Sequence, residues 1–117
     1  MTSNAARGNR YKVKTKQWFE KQGYHCEYLE RYISRFIPGR GMFYSKKDIL
    51  GSDGLAMKED EFIFWNSKAT EDLPRRRNEI VKKAAEEFAV YKFPSFVRCI
   101  VVIWELRARE PLLIEIK

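Results

Sequence analysis

Asp48-Ile49-Leu50-Gly51-Ser52-Asp53-Gly54-Leu55-Ala56-Met57, then Lys58-Glu59-Asp60-Glu61, then Phe62-Ile63-Phe64-Trp65-Asn66-Ser67-Lys68: this stretch decides how the chain reads. Two apolar runs are joined by four charged residues. That pattern predicts a hairpin of strands over 49–57 and 62–69, with the charged tetrad as its tight turn. Successive strand side chains alternate between faces, so Phe62, Phe64, Asn66 and Lys68 share one face and Ile63, Trp65 and Ser67 the other. An acidic residue thus stands on one apolar strand, and a polar residue and a lysine, two apart, on the next.

Working outward, the N-terminal side reads as a helix over about 6–22. Tyr11, Thr15, Trp18 and Phe19 fall on one of its faces, and Gly23 is a natural stop in the left-handed conformation. A strand over 24–31 follows. Residues 32–47 read as a long basic loop, with Pro38, Gly39 and Gly41 inside it and Arg31, Arg35, Arg40, Lys46 and Lys47 in or beside it. So long a loop in a small domain points to function or disorder. On the C-terminal side Asp72 and Pro74 start a second helix running to about residue 91, with Ile80, Ala84, Phe88 and Tyr91 as its apolar stripe. Residues 96–105 are β-branched enough for a buried central strand, and 112–116 form a short last one. The predicted order is helix, three strands, helix, two strands. It implies an α/β fold: one mixed sheet flanked by helices.

Composition limits the alternatives. With 117 residues, 44% hydrophobic and 15% aromatic, the chain reads as a single domain spanning 1–117 with a core of its own. A net charge of +7 and a pI near 9.5 favour a polyanionic partner, nucleic acid before an acidic membrane surface. Cys26 and Cys99 lie in apolar runs without metal-ligand neighbours, and His25 is the single histidine. Buried reduced thiols are expected, rather than a zinc site or a disulfide framework. No apolar run approaches the ~20 residues of a membrane span, and the N-terminus lacks a signal-peptide stretch. A cytoplasmic, intracellular protein is expected, with no membrane partner.

The central stretch carries chemistry. Hydrolysing a phosphodiester requires neutralising developing charge and activating a water, and a divalent ion held by carboxylates does both. Magnesium takes hard oxygen ligands and keeps several waters, so one or two carboxylates with backbone oxygens suffice. A lysine beside it orients the water or stabilises the transition state. Asp53, Asn66 and Lys68 have the placement for such a site, and Asp48 is a further carboxylate, either a ligand or a salt-bridged surface group.

With those residues in place, the chain resembles the PD-(D/E)XK nuclease superfamily. Within it, the similarity is to small archaeal Holliday-junction-resolvase-like and phage or prokaryotic restriction-endonuclease-like members. The resemblance runs over nearly the whole chain: Arg7-Gly8-Asn9-Arg10-Tyr11, Gly23-Tyr24, Lys47-Asp48-Ile49-Leu50-Gly51-Ser52-Asp53, Asn66-Ser67-Lys68-Ala69-Thr70, Arg75-Arg76-Arg77 with Ile80, and Trp104. It implies a restriction-endonuclease-like αβββαβ core and a divalent-metal-dependent DNA endonuclease, with Mg²⁺ or Mn²⁺ as cofactor. Asp53 matches the metal-binding aspartate and Lys68 the catalytic lysine. Asn66 replaces the second acidic ligand, which brings an oxygen but no charge. Lys12 stands about where many relatives carry a first-helix glutamate. These two losses keep open a second expectation, a nuclease-fold protein without catalysis that binds nucleic acid or serves in assembly. A third is a small interaction protein whose basicity is incidental.

The cations complete the reading. Arg75, Arg76 and Arg77 lie in a helix's first turn, where positive charge opposes the helix dipole. They face a phosphate or are merely solvated. Arg35, Arg40, Lys46 and Lys47 are expected to hold a nucleic-acid backbone without reading sequence. Tyr32, Phe36 and Tyr44 among them stack on unpaired bases or pack their loop down. The expected partner is DNA, branched DNA included, and a homodimer suits a resolvase-like protein that cuts two strands.

Overall fold

Tyr11, Thr15 and Phe19 recur at helical spacing, and all three are buried. They form the inner face of α1 (Asn4–Lys21). The helix stops where expected: Gly23 takes φ +91°, and the Tyr24 N–H reaches back to the Phe19 carbonyl at 3.0 Å. The computed structural model describes residues 4–117; the side chains of residues 4–7, 30–33 and 44–48 lie outside that description.

Five strands form one mixed sheet in the order β1-β4-β5-β6-β7. They are β1 (His25–Tyr28), β4 (Gly54–Lys58), β5 (Glu61–Thr70), β6 (Val97–Glu105) and β7 (Leu112–Glu115), with β2 (Glu30–Ile37) and β3 (Gly41–Asp48) forming a separate antiparallel hairpin. The charged tetrad closes the β4–β5 hairpin as read from the sequence, with Lys58 opposite Glu61. β5 and β6 run parallel, so the chain must cross over between them, and α2 (Leu73–Ala89) is that crossover. Asp72 caps α2, its carboxylate accepting the Arg75 N–H, and Pro74 sits in the first turn.

The two helices cover opposite faces of the sheet. On one, Tyr11 and Phe19 of α1 pack with Ile63, Trp65, Ile100, Val102 and Trp104. On the other, Ala84 and Phe88 of α2 pack with Phe64, Cys99, Val101 and Ile103. Residues of opposite parity on β5 and β6 serve the two layers, as a pleated strand buried on both faces requires. Gly54 has a steric reason to lack a side chain: a Cβ there would overlap the Trp65 ring and come within 2.7 Å of the Glu27 carbonyl. Both cysteines are buried and free. Burial pushes the Cys26 thiol up to about 11, so it stays neutral.

Three expectations are corrected. The long basic loop over 32–47 is instead the β2–β3 hairpin, turned at Pro38-Gly39-Arg40 with Gly39 at φ +82° and the Arg40 N–H on the Ile37 carbonyl. Charged side chains masked the strand signal, since a two-stranded ribbon need not bury either face. The expected strand over 49–57 also begins late, at Gly54. Ile49 to Ser52 form a tight turn instead, closed by the Ser52 N–H on the Ile49 carbonyl at 3.0 Å, with Leu50 at φ +55° and Gly51 at φ +65°. The expected strand over 24–31 accordingly splits into β1 and the start of β2.

Candidate functional site

β4 and β5 stop pairing beyond Gly54 and Trp65, and Asp53 occupies the gap they leave. Its backbone N–H donates to the Trp65 carbonyl at 3.0 Å and to Asn66 Oδ1 at 2.9 Å. Its carboxylate Oδ2 accepts the Ser67 N–H at 2.8 Å, so a side chain continues the strand pairing that β4 has abandoned. Oδ1 faces Lys12 Nζ of α1 at 3.5 Å. Asp53 is only 6% exposed; a carboxylate there needs such partners.

Asn66 lies deeper still, at 1% exposure. Its Oδ1 is turned onto the Asp53 N–H. Its Nδ2 donates to the Gly51 carbonyl at 3.0 Å and to Glu87 Oε2 of α2 at 2.9 Å. Glu87 Oε1 in turn meets Lys68 Nζ at 3.4 Å. The structure therefore gathers Asp53, Asn66 and Lys68 as the sequence suggested, and adds Lys12 and Glu87. Glu87, on the buried amide, pairs with Lys68, and Asp53, on the next residue of β5, pairs with Lys12.

Glu87 was missed. Nothing near it in sequence resembles a motif; its only signal is helical spacing, one residue before the buried Phe88 and four after Lys83. The same face of α2 carries the cations. Lys68, Arg75, Arg76 and Lys83 line one cavity of about 820 Å³ between the end of β5 and the start of α2, with Glu71, Asp72 and Glu79 also at its walls. Arg76 pairs with Glu79 at 3.0 Å. Arg77 is exposed and outside this lining. Arg35 and Arg40 are exposed on the β2–β3 hairpin, Arg35 opposite Phe43 and Arg40 at its turn. The side chains of Lys46, Lys47 and Asp48, and of Tyr32 and Tyr44, lie outside the described residues; the backbone of all five belongs to the same hairpin.

A divalent ion, as the resemblance implies, finds a poor donor set here. The Asn66 amide is spent on the protein itself, and Lys12 puts an ammonium against Asp53 where a metal would need a second anion. A magnesium ion keeps several waters, and a 1%-exposed amide oxygen gives them no room. Among the described residues, no three acidic, cysteine or histidine side chains converge to hold an ion. Also among the described residues, no helix is long and apolar enough to cross a membrane. No protein-family profile, curated protein or solved structure matches the chain.

Proposed function

We propose that this chain binds DNA through the groove between β5 and the exposed flank of α2, on a restriction-endonuclease-like core whose acidic site is closed by its own lysines. The observation that carries the reading is the cavity in which Lys68, Arg75, Arg76 and Lys83 meet. Three arginines at a helix N-terminus oppose its dipole. The Asp72 cap compensates in part, and a phosphate at that end, met by cations and helix dipole together, offsets the rest. Contacts of this kind give affinity without sequence preference. Setting aside the β2–β3 hairpin and the last strand leaves helix, three strands, helix, strand. That is the order the resemblance implies, and it supports the finer fold assignment.

One observation favours a second reading, a metal-dependent endonuclease. The Asp53 carboxylate accepts the N–H of Ser67, next to Asn66, the Glu87 carboxylate accepts from Asn66 itself, and Lys68 stands beside Glu87, so two carboxylates and a lysine lie close along the end of β5. A cleavage assay separates the two. Single-stranded, duplex and branched DNA are incubated with Mg²⁺ or Mn²⁺, for wild type, Asp53→Ala and Lys68→Ala. The first reading predicts bound but intact DNA in every case. Cleavage by the wild type that both substitutions abolish would replace it with the second. Asn66→Glu adds a carboxylate at the amide's position, and cleavage gained by that variant would mark the site as one acidic group short of activity.

A further inference from the structure

The face of α2 that carries Arg76, Lys83 and Glu87 continues past the helix end to Tyr91, where a second cavity opens. Tyr91, Phe62, Phe64, Phe93 and Phe96 wall an open cavity of about 420 Å³, within the ~300–1,000 Å³ common for small-ligand sites. Aromatic packing shapes it: Phe93 lies 5.0 Å from Phe64 and 6.1 Å from Phe88 between ring centroids. Phe96 packs little of itself away, at 72% exposure. An aromatic side chain left this open beside a formed cavity marks a contact surface more than a core.

Two further features say what fits. Cations flank the aromatic walls. Lys92 lines the cavity, and Lys117 Nζ bonds the Phe93 carbonyl at 2.7 Å and sits 5.7 Å over its ring. An apolar peptide does not call for them; an aromatic group on a phosphate chain does. The cavity and the polar groove share no lining residue but lie at the two ends of the same β5–α2 face. Leu50, another wall of the cavity, precedes Gly51, whose carbonyl holds Asn66. A Cβ on Gly51 would lie 2.9 Å from the Glu87 carbonyl and 3.4 Å from the Tyr91 ring, so the turn is seated on the end of α2. Leu50 holds φ +55° there, a strained conformation for a leucine, of the kind that persists where the surroundings enforce it and clusters at ligand sites. On β5, Phe64 is one strand period, ~7 Å, from Asn66.

From these observations we infer that the aromatic cavity receives an unpaired nucleobase of the DNA strand whose phosphates lie along Lys68, Arg75 and Arg76. This rests on the DNA-binding reading above and deepens it: the preferred substrate is DNA with an unstacked base, single-stranded or branched, and not continuous duplex. Stacking on aromatic side chains is tolerant of base identity, so the preference is for strand state over sequence.

The test uses the full chain and two probes of one sequence, a single-stranded oligonucleotide carrying 2-aminopurine and its duplex. The wild type is expected to quench the single-strand fluorescence and to bind that probe more tightly than the duplex. Phe96→Ala, exposed enough to leave folding intact, is expected to weaken single-strand binding by ~5- to 100-fold, the range for loss of one stacking partner. Its duplex affinity stays unchanged, and Phe96→Tyr restores the single-strand value. Equal losses on both probes, or no loss on either, would overturn the pocket while leaving DNA binding standing. Binding to neither probe by the wild type would remove the underlying reading itself. Intact base selectivity in Phe96→Ala with altered self-association in sedimentation would make this face an interface between copies of the chain.

Discussion

The two faces of β5 are built from alternating residues of one ten-residue strand, yet they have opposite characters. Toward α1, Ile63 and Trp65 are buried in the larger core cluster, and Ser67 bonds Thr15 at 2.9 Å, which also receives the Trp104 indole N–H. Toward α2, Phe62 and Phe64 border an open cavity, and Lys68 borders another. Asn66 between them is buried, with its amide oxygen and nitrogen both hydrogen-bonded. One face is closed by packing and fixes the fold. The other is closed by smaller apolar clusters under α2 and, from Asn66 to Lys68, by hydrogen bonds and ion pairs, so its charges lie near solvent. The difference comes from what each helix contributes: α1 presents Tyr11, Thr15 and Phe19 to the sheet, whereas α2 turns only Ala84 and Phe88 fully inward.

Substitutions can break this contrast in order of size. Trp65→Ala, on the packed face, is expected to cost ~3–5 kcal/mol in denaturant unfolding, the range for emptying a large aromatic site. Lys68→Ala on the other face should stay within ~0.5 kcal/mol, as surface changes do. Comparable losses from both would erase the distinction.

Asn66→Ala is expected to fall between them, at ~1–3 kcal/mol, because Glu87 and the Gly51 carbonyl lose their shared donor. Asn66→Asp sharpens the point. It sets a carboxylate 2.9 Å from Glu87, and two carboxylates that close share a proton, raising an apparent pKa in the folded state. Stability that depends on that proton is present at low pH and lost as pH rises through the raised value. The variant's deficit against wild type should therefore shrink on acidification, as thermal melts across pH would show; a pH-independent deficit would count against the Asn66–Glu87 contact.

The smallest effect lies at the rim of the α1 face. There Arg98 bonds Glu115 at 2.9 Å and Glu61 at 2.7 Å, and the Tyr24 hydroxyl donates to Glu61. The Arg98 bond holds the Glu115 carboxylate below its usual range. Its contribution is full above the unfolded value of ~4.3 and is lost as pH falls through the lower folded one. Arg98→Ala should cost under ~1 kcal/mol at neutral pH, given its exposure to solvent, and match wild type near the acid limit.

How much of this was legible follows from range. Helical spacing in α1, the Asp72–Pro74 start of α2 and the alternation along 62–68 are local, and they read correctly because local geometry dictates them. The β2–β3 hairpin was hidden because its basic residues carry no burial pattern for a strand to display. The neighbourhood of Asp53, Asn66 and Lys68 was legible from residue type and alternation. Glu87 was not, because its meeting with Asn66, 21 residues earlier, is made by the crossover of α2 and not by any spacing in the chain. The ion pairs of Lys12 with Asp53 and of Lys68 with Glu87 are likewise tertiary facts. Lys12 was noticed where an acid was expected, but its ion pair with Asp53 belongs to the packing of α1.

The groove on the α2 face is the centre of the account, and the salt dependence of DNA binding tests it most directly. Fluorescence anisotropy of a labelled oligonucleotide, titrated at several salt concentrations, gives the slope of log affinity against log salt. The wild type should show a negative slope, and Arg75→Ala with Arg76→Ala should reduce its magnitude by about 2, one per lost phosphate contact. Salt-independent binding, or a slope untouched by the double substitution, would contradict the claim that DNA lies along this face.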